Sequence, residues 1–398
     1  MWYNTKAAKI LGVQYPIFQG PFGGNLSSVK LTSTVSNLGG VGGYGAYTLT
    51  PQEIYNVNEE IRKETSKPYN INLWVSDNDL ATSAGNNTTS PPGKSNDPML
   101  PDTTTPRATN NPNPSNIPPN PIPSDLQSLR ALFQSYFDEL GVPFPDKPLS
   151  FSSRFENQVE VILHTKPPAF SFMFGVPSAD ILGQCKKLGI VTIGAATTLD
   201  EALALDDADV DMIIASGFEA GGHRPSFLAP SENSLTGTFV LLQQIRETVR
   251  RPIIAAGGIA TGKGIAAALA LGADAVQVGT AFLACEESNA LDIHREMLFS
   301  PASRYTVLTR AFTGRLGRGL RSRISEETRG KEKSFLPFPL QSQFMSSLRQ
   351  AAIIQKKWEL ILFWGGQIAP LLKHKKASDL MNALVEETTA YFNGLTTA

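Results

Sequence analysis

Residues 213–227, IIASGFEAGGHRPSF, run from a short apolar strand into a glycine-punctuated loop that carries a histidine beside an arginine. Gly217, Gly221 and Gly222 let the backbone turn tightly and approach a ligand where a Cβ would clash. His223 is the side chain best suited to proton transfer near neutral pH, and it is the candidate catalytic residue. Structural turns use the same residue types, so the surroundings have to decide. A second stretch, residues 252–288, reads PIIAAGGIATGKGIAAALALGADAVQVGTAFLACEES. It alternates strand, glycine turn and helix twice. Ala256, Gly257 and Gly258 close the first strand; Gly279 and Thr280 close the second. Two such turns on adjacent parallel strands, exposing backbone N–H groups toward a helix N-terminus, form an anion cradle suited to a phosphate. Strand termination alone explains one such turn more easily than two.

The elements that must position these loops can be read from eight apolar runs of strand length, at 17–20, 41–44, 69–73, 169–174, 190–193, 212–215, 253–256 and 275–278. Most are separated by one helix-like segment, which argues for a parallel sheet with helical crossovers. Eight units predict an α/β protein, a closed (β/α)8 TIM barrel, once one long insertion is removed. Chemistry in such barrels lies at the C-terminal strand ends. Here those ends carry Gly20, Pro21, Phe22, Gly23, Asn72, Ala195, Ser216 and Gly217 together with the two glycine turns, on the face where His223 is expected.

Residues 77–124 interrupt this pattern: they hold 11 of the 28 prolines and no aromatic residue. Such a segment cannot bury enough apolar surface to fold, so a disordered insertion is expected after the third strand, as a surface excursion rather than a lid. The expected division is barrel over 1–76, insertion over 77–124, barrel again over 125–287, a small helical cap over 288–350 and helices packing back on the barrel over 351–398. Five arginines fall between 310 and 323, and Glu326 and Glu327 nearby point to pairing within the chain rather than to an acidic partner.

The formal net charge of −1 shows no preference for a polyanion or a membrane surface, so nucleic acid is an unexpected partner. The most apolar stretch is broken by Lys263 and Asp274, and the N-terminus lacks a signal-peptide pattern, so neither a membrane span nor secretion is expected and a cytoplasmic location is. Cys185 and Cys285 have no metal-ligand spacing and read as small buried apolar residues. His164, His294 and His374 lack a glycine-rich frame, and no metal site is expected. No Gly-x-Ser-x-Gly elbow is present to carry a serine nucleophile.

The segments PIFQGPFGG, ASGFEAGGHR, the stretch 252–288 and TRAFTGRLGRG resemble the successive motifs of the nitronate monooxygenases, formerly called 2-nitropropane dioxygenases. The resemblance covers the chain except the insertion. It implies FMN as cofactor, with Gly257, Gly258, Gly279 and Thr280 at its phosphate, and with Asn72 and the turn of Pro21, Phe22 and Gly23 against the flavin. Gly20, Ala195, Ser216, Gly217, Gly221, Gly222 and Ala256 complete the expected cofactor set, and Phe22 and His223 face the substrate. It implies oxidation of an alkyl nitronate by O2 to a carbonyl compound and nitrite, and it allows a homodimer. FMN-dependent enoyl-acyl carrier protein reductases, which use NAD(P)H, share much of the pattern and stand as the alternative; a non-catalytic flavin-binding barrel would leave the histidine loop without purpose. Phe22 stands where many relatives have methionine, Gly194 where some have lysine, and Pro225 where a glycine often follows the His-Arg pair.

Overall fold

The computed structural model describes residues 1–76, 123–145 and 154–396. The disordered insertion expected at 77–124 lies outside the described residues, except that the next helix already begins at Pro123. Eight parallel strands form one sheet: β1 (Ile17–Gln19), β2 (Gly42–Gly45), β3 (Tyr69–Trp74), β4 (Ala169–Met173), β5 (Val191–Ala196), β6 (Met212–Ser216), and then, after a two-residue strand β7 (Gly222–His223), β8 (Ile253–Ala256) and β9 (Ala275–Val278). Their order is β1-β9-β8-β6-β5-β4-β3-β2. The Phe18–Val41 bridge, with Gln19 N–H donating to Val41 O at 2.9 Å, joins the last strand to the first and closes the barrel. The fold is the expected TIM barrel, and the last two strands start and end where the apolar runs do.

Strand alternation decides what lies inside. In β3, Tyr69, Ile71 and Leu73 join the large core between strands and helices, which leaves Asn70, Asn72 and Trp74 on the inward face. The interior holds Phe18, Ile193, Ala195, Met212, Ile214, Ile254 and Ala256, among others. Side-chain caps set where the helices start. Thr50 accepts from Glu53 N–H in a capping box before Pro51, and Thr5, Ser28, Ser178, Thr198 and Thr261 cap five more helices.

A second core gathers Leu298, Leu320, Phe344, Leu348 and Phe363 with Leu129, Phe133 and Phe137 of the helix Pro123–Leu140. The helices Asp292–Phe299, Leu340–Phe344 and Ser346–Ile354 supply Leu298, Phe344 and Leu348 to this core. Two strands come in addition, β10 (Thr306–Thr309) and β11 (Gly317–Leu320); they pair antiparallel with each other, and β11 pairs antiparallel with β7. The sequence reading missed them: GRGL and GH lack the apolar alternation that marks a strand. The helix Ala377–Thr396 then returns to the barrel, placing Ala377, Leu380, Met381 and Leu384 in its outer core. Among the described residues, no helix is long and apolar enough to cross a membrane.

Candidate active site

Past β6 the chain forms the loop read as catalytic. Gly217 N–H extends the ladder to Ala256 O at 2.8 Å, and His223 then pairs in register with Gly317 on β11. The small sheet fixes the histidine from below. Its Nε2 lies 2.9 Å from Thr313 Oγ1, and its ring packs against Trp364 at 4.9 Å and edge-on to Trp74 at 5.1 Å, with Phe338 at 6.1 Å. Trp74 is the inward residue at the mouth end of β3, stacked on Tyr47 at 4.1 Å. A Cβ on Gly23, in the turn after β1, would lie 4.0 Å from Cζ2 of the same indole. Trp74 therefore stands between that turn and the histidine.

Arg224, the other half of the His-Arg pair, does different work. It is buried, and its guanidinium donates to Ser216 O at 2.6 Å, to Ser234 O at 2.8 Å and to Thr197 O at 3.4 Å. Burial pushes its pKa down to about 10, against the opposing pull of Glu201 and Glu219. It remains a cation at neutral pH, and it clamps the loop to the ends of β5 and β6.

The two glycine turns lie side by side at the mouth, after β8 and β9. Gly257 and Gly258 take φ of +106° and +70°, values that favour glycine. The Cβ direction of Gly279 opens on empty space, and that of Gly258 meets only the Cβ and Cγ of Glu219, at 3.6 and 3.8 Å. Backbone bare of side chains at Gly258 and Gly279 leaves room for a phosphate group, whereas a Cβ on Gly257 would lie 2.9 Å from Thr238 Oγ1. Thr280 beside it accepts Gly366 N–H at 2.9 Å, which leaves its hydroxyl proton to be donated. Gly20 closes the arc, its N–H on Val278 O at 2.9 Å and its Cβ direction 3.1 Å from Gly279 Cα.

Asn72, Ala195, Ser216 and Ala256 are all buried at the mouth end of their strands, with Ser216 and Ala256 in register. Asn72 donates from Nδ2 to Ser171 Oγ at 2.9 Å. Phe22 is half-buried and touches both cores; its N–H and C=O are both held by Ser27 Oγ at 2.9 Å, beside Pro21. Gly222 is open on its Cβ side. Gly217 and Gly221 are different. A Cβ on Gly217 would lie 1.8 Å from Thr238 Oγ1, and one on Gly221 would lie 2.6 Å from Gly366 N, so protein packing already requires glycine at both.

Sequence reasoning missed four contributors. Thr313, Trp364 and Trp74 surround the histidine. Glu219 lies beside Gly258 and accepts from Thr238 N–H and Oγ1, both at 2.9 Å, capping the helix Thr238–Thr248. Trp74 falls one residue beyond an expected strand, and Glu219 and Thr313 fall inside the segments ASGFEAGGHR and TRAFTGRLGRG, where neither was given a role. The arginine run is paired within the molecule: Arg310 with Glu232 at 2.7 Å, Arg315 on Ser76 O at 2.9 Å, Arg318 on Thr306 Oγ1 at 2.8 Å, Arg321 near Glu326 and Arg323 with Glu139. Among the described residues no group of three or more His, Cys, Asp or Glu side chains could hold a metal ion.

Comparison with known proteins covers both cores and the residues around His223. The family described as nitronate monooxygenase matches residues 4–96 and 123–387. A protein named probable nitronate monooxygenase from Staphylococcus aureus (strain Newman) is 32% identical over 388 residues, spanning 97% of this chain and 98% of that one. Among solved structures, the nitroalkane oxidase from Streptomyces ansochromogenes superposes with a TM-score of 0.79 at 29% identity, covering 98% of this chain and 99% of that chain. FabK from Thermotoga maritima follows with 0.70 at 25% identity, covering 99% of each. On these matches the chain belongs to the nitronate monooxygenase family and is a flavin-dependent oxidoreductase.

Proposed function

We propose that the chain binds FMN and oxidises small alkyl nitronates with O2 to carbonyl compounds and nitrite. One observation carries the reading: the ring of His223 stands at the barrel mouth edge-on to Trp74, whose indole faces the turn after β1, while the glycine turns after β8 and β9 end their strands at the same mouth. Gly257, Gly258, Gly279 and Thr280 would hold the phosphate, and Asn72 with the turn of Pro21, Phe22 and Gly23 would lie against the ring system. Gly20, Ala195, Ser216 and Ala256 line the mouth where the rest of the cofactor would lie. FMN, when bound, supplies the electron acceptor and the reaction with O2.

The protein does the remainder. The walls of Trp74, Phe338 and Trp364 exclude water around His223 and favour a compact substrate with an apolar end. A nitronate is already a carbanion equivalent and needs no base; there His223 hydrogen-bonds the nitro oxygens. With a neutral nitroalkane the imidazole removes the α-proton. The test is aerobic incubation of purified protein with propionate 3-nitronate and, separately, with an enoyl thioester plus NADPH. Nitrite release supports the proposal. Thioester-dependent loss of NADPH absorbance without nitrite would replace it with the reductase reading, which the likeness to FabK keeps in view.

A further inference from the structure

We propose that Ser27 is a positioning residue for the cofactor: its hydroxyl carries the register of the barrel into the turn of Pro21, Phe22 and Gly23 and holds that turn in line with Asn72. The inference rests on the reading that puts this turn and Asn72 against FMN, and it adds the group that aligns the two. The backbone ladder between β1 and β2 is short. Val41 N–H donates to Ile17 O and Gln19 N–H to Val41 O, both at 2.9 Å. Every second N–H of β2 faces β1, and the next two donors meet side chains in place of strand carbonyls. Gly43 N–H donates to Gln19 Oε1 at 2.8 Å, and Gly45 N–H donates to Ser27 Oγ at 3.1 Å. Past Gln19 the chain has left the ladder, and Ser27 stands in for the missing strand.

Three backbone groups converge on Ser27 Oγ, and their chemistry fixes the direction of each bond. Phe22 N–H, at 2.9 Å, and Gly45 N–H can only donate, so they take the two lone pairs; Phe22 O, also at 2.9 Å, can only accept, so it takes the hydroxyl proton. Ser27 is buried and its oxygen has its full complement of bonds. Packing holds the same peptide from the other side: a Cβ on Gly45 would lie 2.5 Å from Phe22 O and 2.9 Å from Gly23 N. Gly45 is in register with Asn72 on β3. One hydroxyl thus sets the spacing between two segments that the reading places against one ring system. The Phe22 side chain is located with its peptide. A Cβ on Gly20 would lie 3.5 Å from Phe22 Cε1 and 3.1 Å from Gly279 Cα, so the ring stands beside the glycine turn after β9. Without the Ser27 hydroxyl, two N–H groups and a carbonyl lose their partner, and the turn must shift to satisfy them.

The experiment loads Ser27→Ala and Ser27→Cys with FMN and compares them with wild type and with Ser28→Ala. Ser28 caps the helix Val29–Asn37, accepting Leu31 N–H at 2.9 Å, so its loss weakens the adjoining segment while removing no bond to the turn. In Ser27→Ala the dissociation constant for FMN should rise about tenfold. The visible circular dichroism of the bound flavin should change, and kcat for a nitronate should fall roughly tenfold as the turn moves. Ser27→Cys, similar in shape but a weaker acceptor, should fall between. Ser28→Ala should unfold at lower urea and keep the FMN affinity and dichroism of wild type. Affinity and dichroism unmoved in both Ser27 variants, or moved as far in Ser28→Ala, would overturn the inference, and so would a wild type that takes up no FMN. Should the flavin readouts shift as expected while wild type releases no nitrite from a nitronate, the positioning stands and the proposed reaction fails, so the two readings fail separately.

Discussion

At the scale of single residues, two neighbours in sequence divide the labour of the loop. His223 faces the indoles of Trp74 and Trp364, and Arg224 turns away to bind carbonyls. His223→Asn should therefore fold and retain FMN. Turnover of a neutral nitroalkane should fall by roughly 10²-fold or more, the scale of a positioned base, and a preformed nitronate should lose only about tenfold. Steady-state rates on both substrates check it, and equal losses would make His223 an anion-positioning group with no role as a base. Arg224→Lys should instead act on the scaffold. A lysine ammonium cannot reproduce the fork on Ser216 O, Ser234 O and Thr197 O, and unfolding in urea should show a loss of about 2–3 kcal/mol. From sequence the pair reads as one functional unit. What separates the two is the alternation of side chains about a strand whose partner, Gly317, lies far along the chain.

At the scale of elements, the barrel was legible because its strands are apolar runs ended by glycine or by small polar residues. The small sheet was not. Its pairing depends on Gly317 and Gly319 packing under Trp364 and Phe363, contacts that no local pattern announces. The segment around Trp364 depends in turn on His294, a histidine that drew no functional reading. Buried and close to Arg349 and Arg295, His294 donates from Nε2 to Trp364 O at 2.8 Å. Burial above all pushes its pKa down to about 4, although the bond to Trp364 opposes this. The sign follows from linkage. The unfolded histidine takes a proton near the usual 6.5 and the folded one only near 4, so the stability it confers is whole above pH 6.5 and declines as pH falls toward 4. Between those limits the loss is on the order of 3 kcal/mol. His294→Gln, which can still donate but does not titrate, should lack this part of the acid destabilisation. Urea unfolding of both proteins at pH 7 and pH 4.5 measures the difference.

At the scale of the whole molecule, the glycine turns belong to the barrel, and the aromatic residues around His223 come from both parts: Trp74 from β3, Phe338 and Trp364 from the chain after β9. The protein should purify yellow with about one FMN per chain, and added FMN should raise the Tm by mass action. Gly258→Val should empty the site, because a β-branched residue is strained at φ +70° and cannot hold the backbone in its concave form. Flavin absorbance per chain after reconstitution is the readout, and undiminished occupancy would place the phosphate elsewhere. The return of the chain by the helix Ala377–Thr396 carries a mechanical consequence. The part of the second core that follows β9 rejoins the barrel through that helix, and between these points Gln367 N–H is fastened to Glu219 O at 3.0 Å and Gly366 N–H to Thr280. A body moored at both ends cannot swing aside like a hinged cover, since two backbones would have to bend at once and the β7–β11 pairing would have to break.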